Sequence, residues 1–172
     1  SIWSVFMNKI LEQRDIFSEP PGIHVVAKPM GPLCNLNCEY CFYLEKQALF
    51  AQDEKYRMSD DILRAFIANY ITSQPTPIVE FVWQGGEPTL LGIDFFKRVV
   101  ELQKHFAGAK TITNALQTNG TLLTDAWCAC LKKHNFMVGI SLDGPQEIHD
   151  RYRRDRKGAG SFEQGMNGLK LL

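Results

Sequence analysis

The chain has 172 residues, 45% of them hydrophobic and 22% charged, which supports a packed core and excludes a disordered chain. Lys and Arg number 19 and so do Asp and Glu, so the net charge is zero and a general nucleic-acid or membrane-surface binder, which needs a basic excess, is excluded. No apolar run approaches the roughly eighteen residues of a membrane span, and no signal-peptide pattern opens the chain, so the expected setting is cytoplasmic.

Residues 1–22 read as an N-terminal extension, with an irregular helix from Ile2 to Ile16, closed by the breaker Glu19-Pro20-Pro21-Gly22. A strand-then-helix rhythm follows. Ile23 to Ala27 reads as a short strand, and after it comes a loop holding three cysteines. Ser59-Asp60-Asp61 starts a helix in which Ile62, Leu63, Phe66, Ile67, Tyr70 and Ile71 recur at helical spacing. Ile78 to Trp83 is the second strand. The next helix carries Phe95, Val99, Leu102 and Phe106 on one face and stops at Gly108. Thr111 to Thr118 is the third strand, Thr124 caps a helix with Trp127 and Leu131, and Met137 to Leu142 is the fourth strand. Ser161 caps a last helix with Phe162, Met166 and Leu169 on one face. The predicted class is α/β, a parallel sheet of about four βα units with right-handed crossovers. A parallel sheet cut inside that last helix would leave an open strand edge, so the sequence is read as the front part of a larger barrel, truncated at its C-terminus.

In parallel α/β folds the chemistry gathers at the C-terminal ends of the strands, and every unusual motif here falls at such a place. The first strand leads to Cys34, Cys38 and Cys41, the second to Gln84-Gly85-Gly86-Glu87-Pro88. The third ends in Gln117-Thr118-Asn119-Gly120 and the fourth in Ser141-Leu142-Asp143-Gly144. Thiolates bind soft metals, so zinc and iron–sulfur clusters are the candidates for the C-x3-C-x2-C loop. A structural zinc site takes four ligands in two spaced pairs, and only three stand here. Cys128 and Cys130, two apart on a helix, point in opposing directions and are read as packing residues. Three thiolates on a four-iron cluster would leave one iron open to a small molecule. His149 is read as a hydrogen-bonding partner that fixes a loop, and the basic run from Arg151 to Lys157 as a solvated loop in which Arg153 alone has a specific claim. Trp83 and Tyr40 fit pocket and core equally well.

The cysteine spacing, with an aromatic after it, resembles the signature of the radical S-adenosylmethionine (SAM) superfamily. The stretch C-N-L-N-C-E-Y-C-F-Y-L-E-K, with W-Q-G-G-E-P-T-L, L-Q-T-N-G, G-I-S-L-D-G-P and H-D-x-x-R, resembles the anaerobic sulfatase-maturating enzymes of that superfamily. The resemblance implies a partial (β/α)6 TIM-like barrel, with residues 23–172 as its radical SAM core and a C-terminal auxiliary-cluster domain, bearing the catalytic base, lying beyond this sequence. It implies that Cys34, Cys38 and Cys41 hold a [4Fe-4S] cluster whose fourth iron chelates SAM, with Tyr43 beside the adenine. Gly85, Gly86 and Glu87 would take the methionyl amine, Ser141 the ribose and Arg153 the carboxylate. Gln84 and Asn119 are further rim residues. The implied reaction oxidises a Cys or Ser of a sulfatase polypeptide to formylglycine, with a flavodoxin- or ferredoxin-type electron donor. Two other readings stand beside it: another peptide-modifying radical SAM maturase, or a non-catalytic iron–sulfur or zinc module.

Overall fold

The structure, a computed structural model, describes residues 22–49 and 56–172. The predicted helix from Ile2 to Ile16 and most of the breaker after it lie outside the described residues. Four strands, β1 (Val25–Ala27), β2 (Ile78–Trp83), β3 (Thr111–Thr118) and β4 (Phe136–Ile140), form one sheet in the order β1-β2-β3-β4. Each neighbouring pair is parallel, with Val25 opposite Phe81, Phe81 opposite Asn114 and Asn114 opposite Phe136. Between and after the strands run α1 (Asp60–Ser73), α2 (Ile93–Phe106), α3 (Asp125–Lys133), α4 (Gln146–Tyr152) and α5 (Phe162–Leu171). The predicted parallel α/β class is therefore the observed one. No described helix is long and apolar enough to cross a membrane.

Local chemistry sets the helix starts. Ser59 Oγ accepts the Ile62 N–H at 3.3 Å to cap α1, and Thr124 Oγ1 accepts the Trp127 N–H at 3.4 Å to cap α3. Alternation does the rest: Val79, Phe81 and Trp83 of β2 are buried against the helices, packed with Phe95, Phe96, Val99, Leu63 and Ile67. Aromatic rings carry much of this core, with Phe81 stacked on Trp83 at 5.9 Å and Phe96 edge-on to Trp83 at 6.1 Å. A polar pair, Asn114 and Gln103, is buried with it. Asn114 accepts from Trp83 Nε1 and exchanges two hydrogen bonds with Gln103, so burial leaves none of these groups unpaired. The opposite side of the sheet, with Val82, Ala115 and Gln117, is only half-buried.

Several predicted details differ. Strand β1 begins at Val25 rather than Ile23, and β4 spans Phe136–Ile140, with Met137 70% exposed on the open edge strand. Ile62 is 59% exposed, so the buried stripe of α1 is Leu63, Ile67, Tyr70 and Ile71. On α5 the buried positions are Gly165 and Gly168, not the predicted apolar face, and Leu169 is 42% exposed. Added Cβ atoms at Gly165 and Gly168 would meet the carbonyls of Asn119 and Gly120, so α5 docks on that turn through bare backbone. Helix α4 has no counterpart among the predicted elements and takes in the first two residues of the basic run; Pro145 precedes it, and the Ile148 and His149 N–H groups bond back to the Pro145 carbonyl. Ser161 stands at the N-cap of α5 but makes no capping bond, because its hydroxyl is engaged elsewhere.

Candidate metal centre and cofactor cleft

The loop after β1 is held by three neighbours. From the β2 side, the Gln84 N–H donates to the Ala27 carbonyl and the Glu87 N–H to the Leu33 carbonyl, each at 2.9 Å. From the β3 side, Asn119 Nδ2 donates to Asn35 Oδ1 at 2.9 Å and lies 3.8 Å from Cys34 Sγ, while Asn35 Nδ2 donates to Thr121 Oγ1 at 2.8 Å. At the end of α4 and just after it, the Tyr152 carbonyl accepts from the Glu39 N–H at 2.9 Å and the Arg154 carbonyl from the Asn37 N–H at 2.7 Å. Arg156 Nε donates to the Cys34 carbonyl at 2.9 Å. The basic run is thus no free solvated loop: Arg154 pairs with Gly160, Leu36 with Asp155, and the hairpin straps the cysteine loop.

Gly85 and Gly86 both have left-handed φ, +89° and +49°. A methyl at Gly86 would overlap the Leu33 carbonyl, and one at Gly85 would press on the Lys28 side chain. The close approach these glycines permit is to the chain's own cysteine loop. Glu87 is buried, 1% exposed. Its Oε1 accepts from the Thr89 N–H at 3.0 Å, the Thr89 hydroxyl at 2.6 Å and the Thr118 hydroxyl at 2.7 Å; its Oε2 accepts from the Asn119 N–H at 2.8 Å. Four donors on one carboxylate make it the joint between the ends of β2 and β3.

These ties enclose a cleft of about 260 Å³ over the C-terminal ends of the strands. Cys34, Cys38, Cys41, Tyr43, Gly85, Gly86, Glu87, Ser141 and Arg153, the site residues named from sequence, all line it, as do Gln84 and Asn119. Cys128 and Cys130 lie on α3 away from it, and Trp83 belongs to the core. Tyr40 is a cleft residue, 53% exposed. Its hydroxyl donates to Asp143 Oδ2 and accepts from Arg153 Nη1 at 2.7 Å; Arg153 Nη1 also lies 3.8 Å from Asp143 Oδ1. Ser141 Oγ accepts from Gln117 Nε2 at 2.9 Å. Asp143 and Asn35 were not assigned to the site from sequence. The signal for Asn35 was its place inside the cysteine run; for Asp143, whose hydroxyl partner Tyr40 lies more than a hundred residues away, local sequence held none.

All five cysteines are free. Burial pushes the Cys34 thiol up, helped by the charges of Glu87 and the other two cysteines and opposed by the Leu36 N–H at 3.4 Å. Burial also raises Cys38, against the pull of Arg153. Burial works against the Arg153 charge, but Tyr40, Cys38 and Asp143 outweigh it and hold the proton more tightly than usual. Among the described residues no three of His, Cys, Asp and Glu are grouped to hold a single metal ion. The donor set at the cleft is three thiols from one loop, which suits an iron–sulfur cluster, where each thiolate takes its own iron. Arg153 Nε is buried with no partner among the described residues, a donor whose hydrogen bond is still unmade.

A cysteine triplet, a glycine turn and an arginine thus meet over the parallel strand ends, and the chain belongs to the radical SAM superfamily, whose family model it matches over residues 29–172. Within that superfamily it is similar to the serine-type anaerobic sulfatase-maturating enzyme of Bacteroides thetaiotaomicron, 49% identical over 156 residues, covering 91% of this chain and 37% of the relative. It is also similar to the cysteine-type enzyme of Clostridium perfringens, 38% identical, covering 88% of this chain and 41% of the relative. The solved structure of native anSMEcpe with bound AdoMet and Cp18Cys peptide superposes with a TM-score of 0.78 at 36% identity, over 88% of this chain and 40% of that one. The chain therefore spans about 40% of the length of the proteins it matches.

Proposed function

We propose that this chain is the cluster-bearing part of a radical SAM enzyme that matures sulfatases, with residues 23–172 as the radical SAM core following the 1–22 extension. The observation that carries the reading is the convergence of three loop thiols, the glycine turn and Arg153 on one cleft. Cys34, Cys38 and Cys41 hold a [4Fe-4S] cluster with one iron left for SAM. When bound, the cluster supplies the electron that cleaves SAM to methionine and a 5′-deoxyadenosyl radical. The chain's own residues position the cofactor. Gly85 and Gly86 present backbone to the methionyl amine with Glu87 fixing their turn, Arg153 takes the carboxylate, Ser141 the ribose, and Tyr43 lies beside the adenine. The radical would take one hydrogen atom from the β-carbon of a sulfatase Ser or Cys; passage of a second electron to an iron–sulfur acceptor, with loss of a proton, would then give the aldehyde of formylglycine from Ser, and from Cys a thioaldehyde that water converts to it with release of sulfide. Identity of 49% and 42% to serine-type relatives against 38% to a cysteine-type one favours serine. A flavodoxin- or ferredoxin-type donor and a cytoplasmic setting belong to the same reading.

Anaerobic reconstitution with iron and sulfide, then EPR of the reduced protein with and without SAM, tests this. The expected result is a [4Fe-4S]⁺ signal that shifts on adding SAM and is lost in Cys38→Ala. Loading with zinc alone, or a cluster indifferent to SAM, overturns it. Mass spectrometry of a sulfatase peptide carrying Ser or Cys then decides the target residue.

A further inference from the structure

The geometry points to a positioning frame for Arg153, built from Tyr40, Asp143, His149 and Ser161, which the signature motifs do not assign. The inference rests on the reading of Arg153 as the SAM carboxylate partner and deepens it. Arg153 follows α4 directly, where a lone guanidinium on a flexible stem would sample many positions. Here both of its ends are fixed. At the guanidinium, Nη1 is held by the Tyr40 hydroxyl, which in turn donates to Asp143. At the backbone, the Arg153 carbonyl accepts from Ser161 Oγ at 2.8 Å.

His149 joins the two ends. It is 1% exposed, its Nδ1 faces the Asp143 N–H at 3.3 Å and its Nε2 the Ser161 hydroxyl at 3.0 Å. Since the Ser161 proton goes to the Arg153 carbonyl, its oxygen accepts from Nε2–H, and Nδ1 is then the bare acceptor that the Asp143 amide needs. One neutral tautomer satisfies every bond, and neither a protonated ring nor the other tautomer does. The ring is thereby sealed from the cleft while fixing the two residues, Asp143 and Arg153, that the Tyr40 hydroxyl bridges. What this leaves without a partner among the described residues is Nε of Arg153, on a side chain that lines the cleft. With Nη1 occupied by the frame, Nε is a guanidinium donor still unpaired for a ligand.

The test is SAM affinity of the cluster-loaded protein, read as the SAM concentration that half-shifts the reduced-cluster EPR signal. Tyr40→Phe removes only the exposed hydroxyl, and Ser161→Ala only the buried link. Each is expected to weaken SAM binding about three- to tenfold, the scale of one hydrogen bond, with iron content and the SAM-free EPR signal unchanged. Ser161→Thr, which keeps the hydroxyl, is expected to restore more of the affinity than Ser161→Ala. The Tyr40→Phe, Ser161→Ala double variant should lose less than the product of the single effects, because both act through one guanidinium. Wild-type affinity in Tyr40→Phe and in Asp143→Asn overturns the frame while leaving the SAM site standing. A wild-type protein that loads its cluster and does not bind SAM overturns the reading and the frame together.

Discussion

Residue by residue, the cleft is built from positions where one atom decides the outcome. Gly86→Ala is expected to cost about 1–3 kcal/mol for its left-handed φ, with the overlap on the Leu33 carbonyl in addition, measured by urea denaturation of the metal-free protein. Stability within 0.5 kcal/mol of wild type, about the noise of a surface substitution, would contradict that geometry. His149 sets a pH dependence. Burial, and then the Arg153 charge, hold its imidazole below the ordinary value of 6.5. The unfolded chain takes up the proton at that ordinary value and the folded chain only at lower pH. Between the two the unfolded state binds more protons, so stability falls as the pH falls below 6.5. His149→Gln removes this titration, and its stability should fall less steeply than that of the wild type over the same acid range. Parallel curves would show that His149 does not titrate on unfolding.

At the scale of elements, what the sequence revealed divides by the kind of signal. Strands β2 and β3 were legible because both are rich in β-branched residues, with aromatics in β2, and are bounded by Pro77 and Gln84 in the one case and by Lys110 and Asn119 in the other. The caps at Ser59 and Thr124 were legible because a single hydroxyl before a helix has one common use. Ser161 offered the same sign and has a different use, since its partners, His149 and the Arg153 carbonyl, come from an element not read as a helix. The docking face of α5 was invisible to hydrophobic periodicity because it consists of glycines. Gly168→Ala should therefore destabilise by about 1–3 kcal/mol despite its higher helix propensity, through overlap with the Gly120 carbonyl, in the same denaturation assay. A stabilised variant would mean that α5 can step away from the turn at no cost. The site motifs were legible one by one; that the basic hairpin crosses back to the cysteine loop was not, because hydrogen bonds between backbones carry no side-chain signature.

Across the whole molecule, the first and last strands are the two edges of one four-stranded sheet, yet their loops share a cleft. The Asn37 and Glu39 amides, bonded to the carbonyls of Arg154 and Tyr152, join what the sheet order keeps apart. The arrangement works like a strung bow: the sheet is the limb, the cysteine loop and the hairpin are the string, and the cleft lies between them. A bow has one draw length. A guest that touches both limb and string is held from both edges of the sheet at once, so binding it stabilises the pairing that joins them.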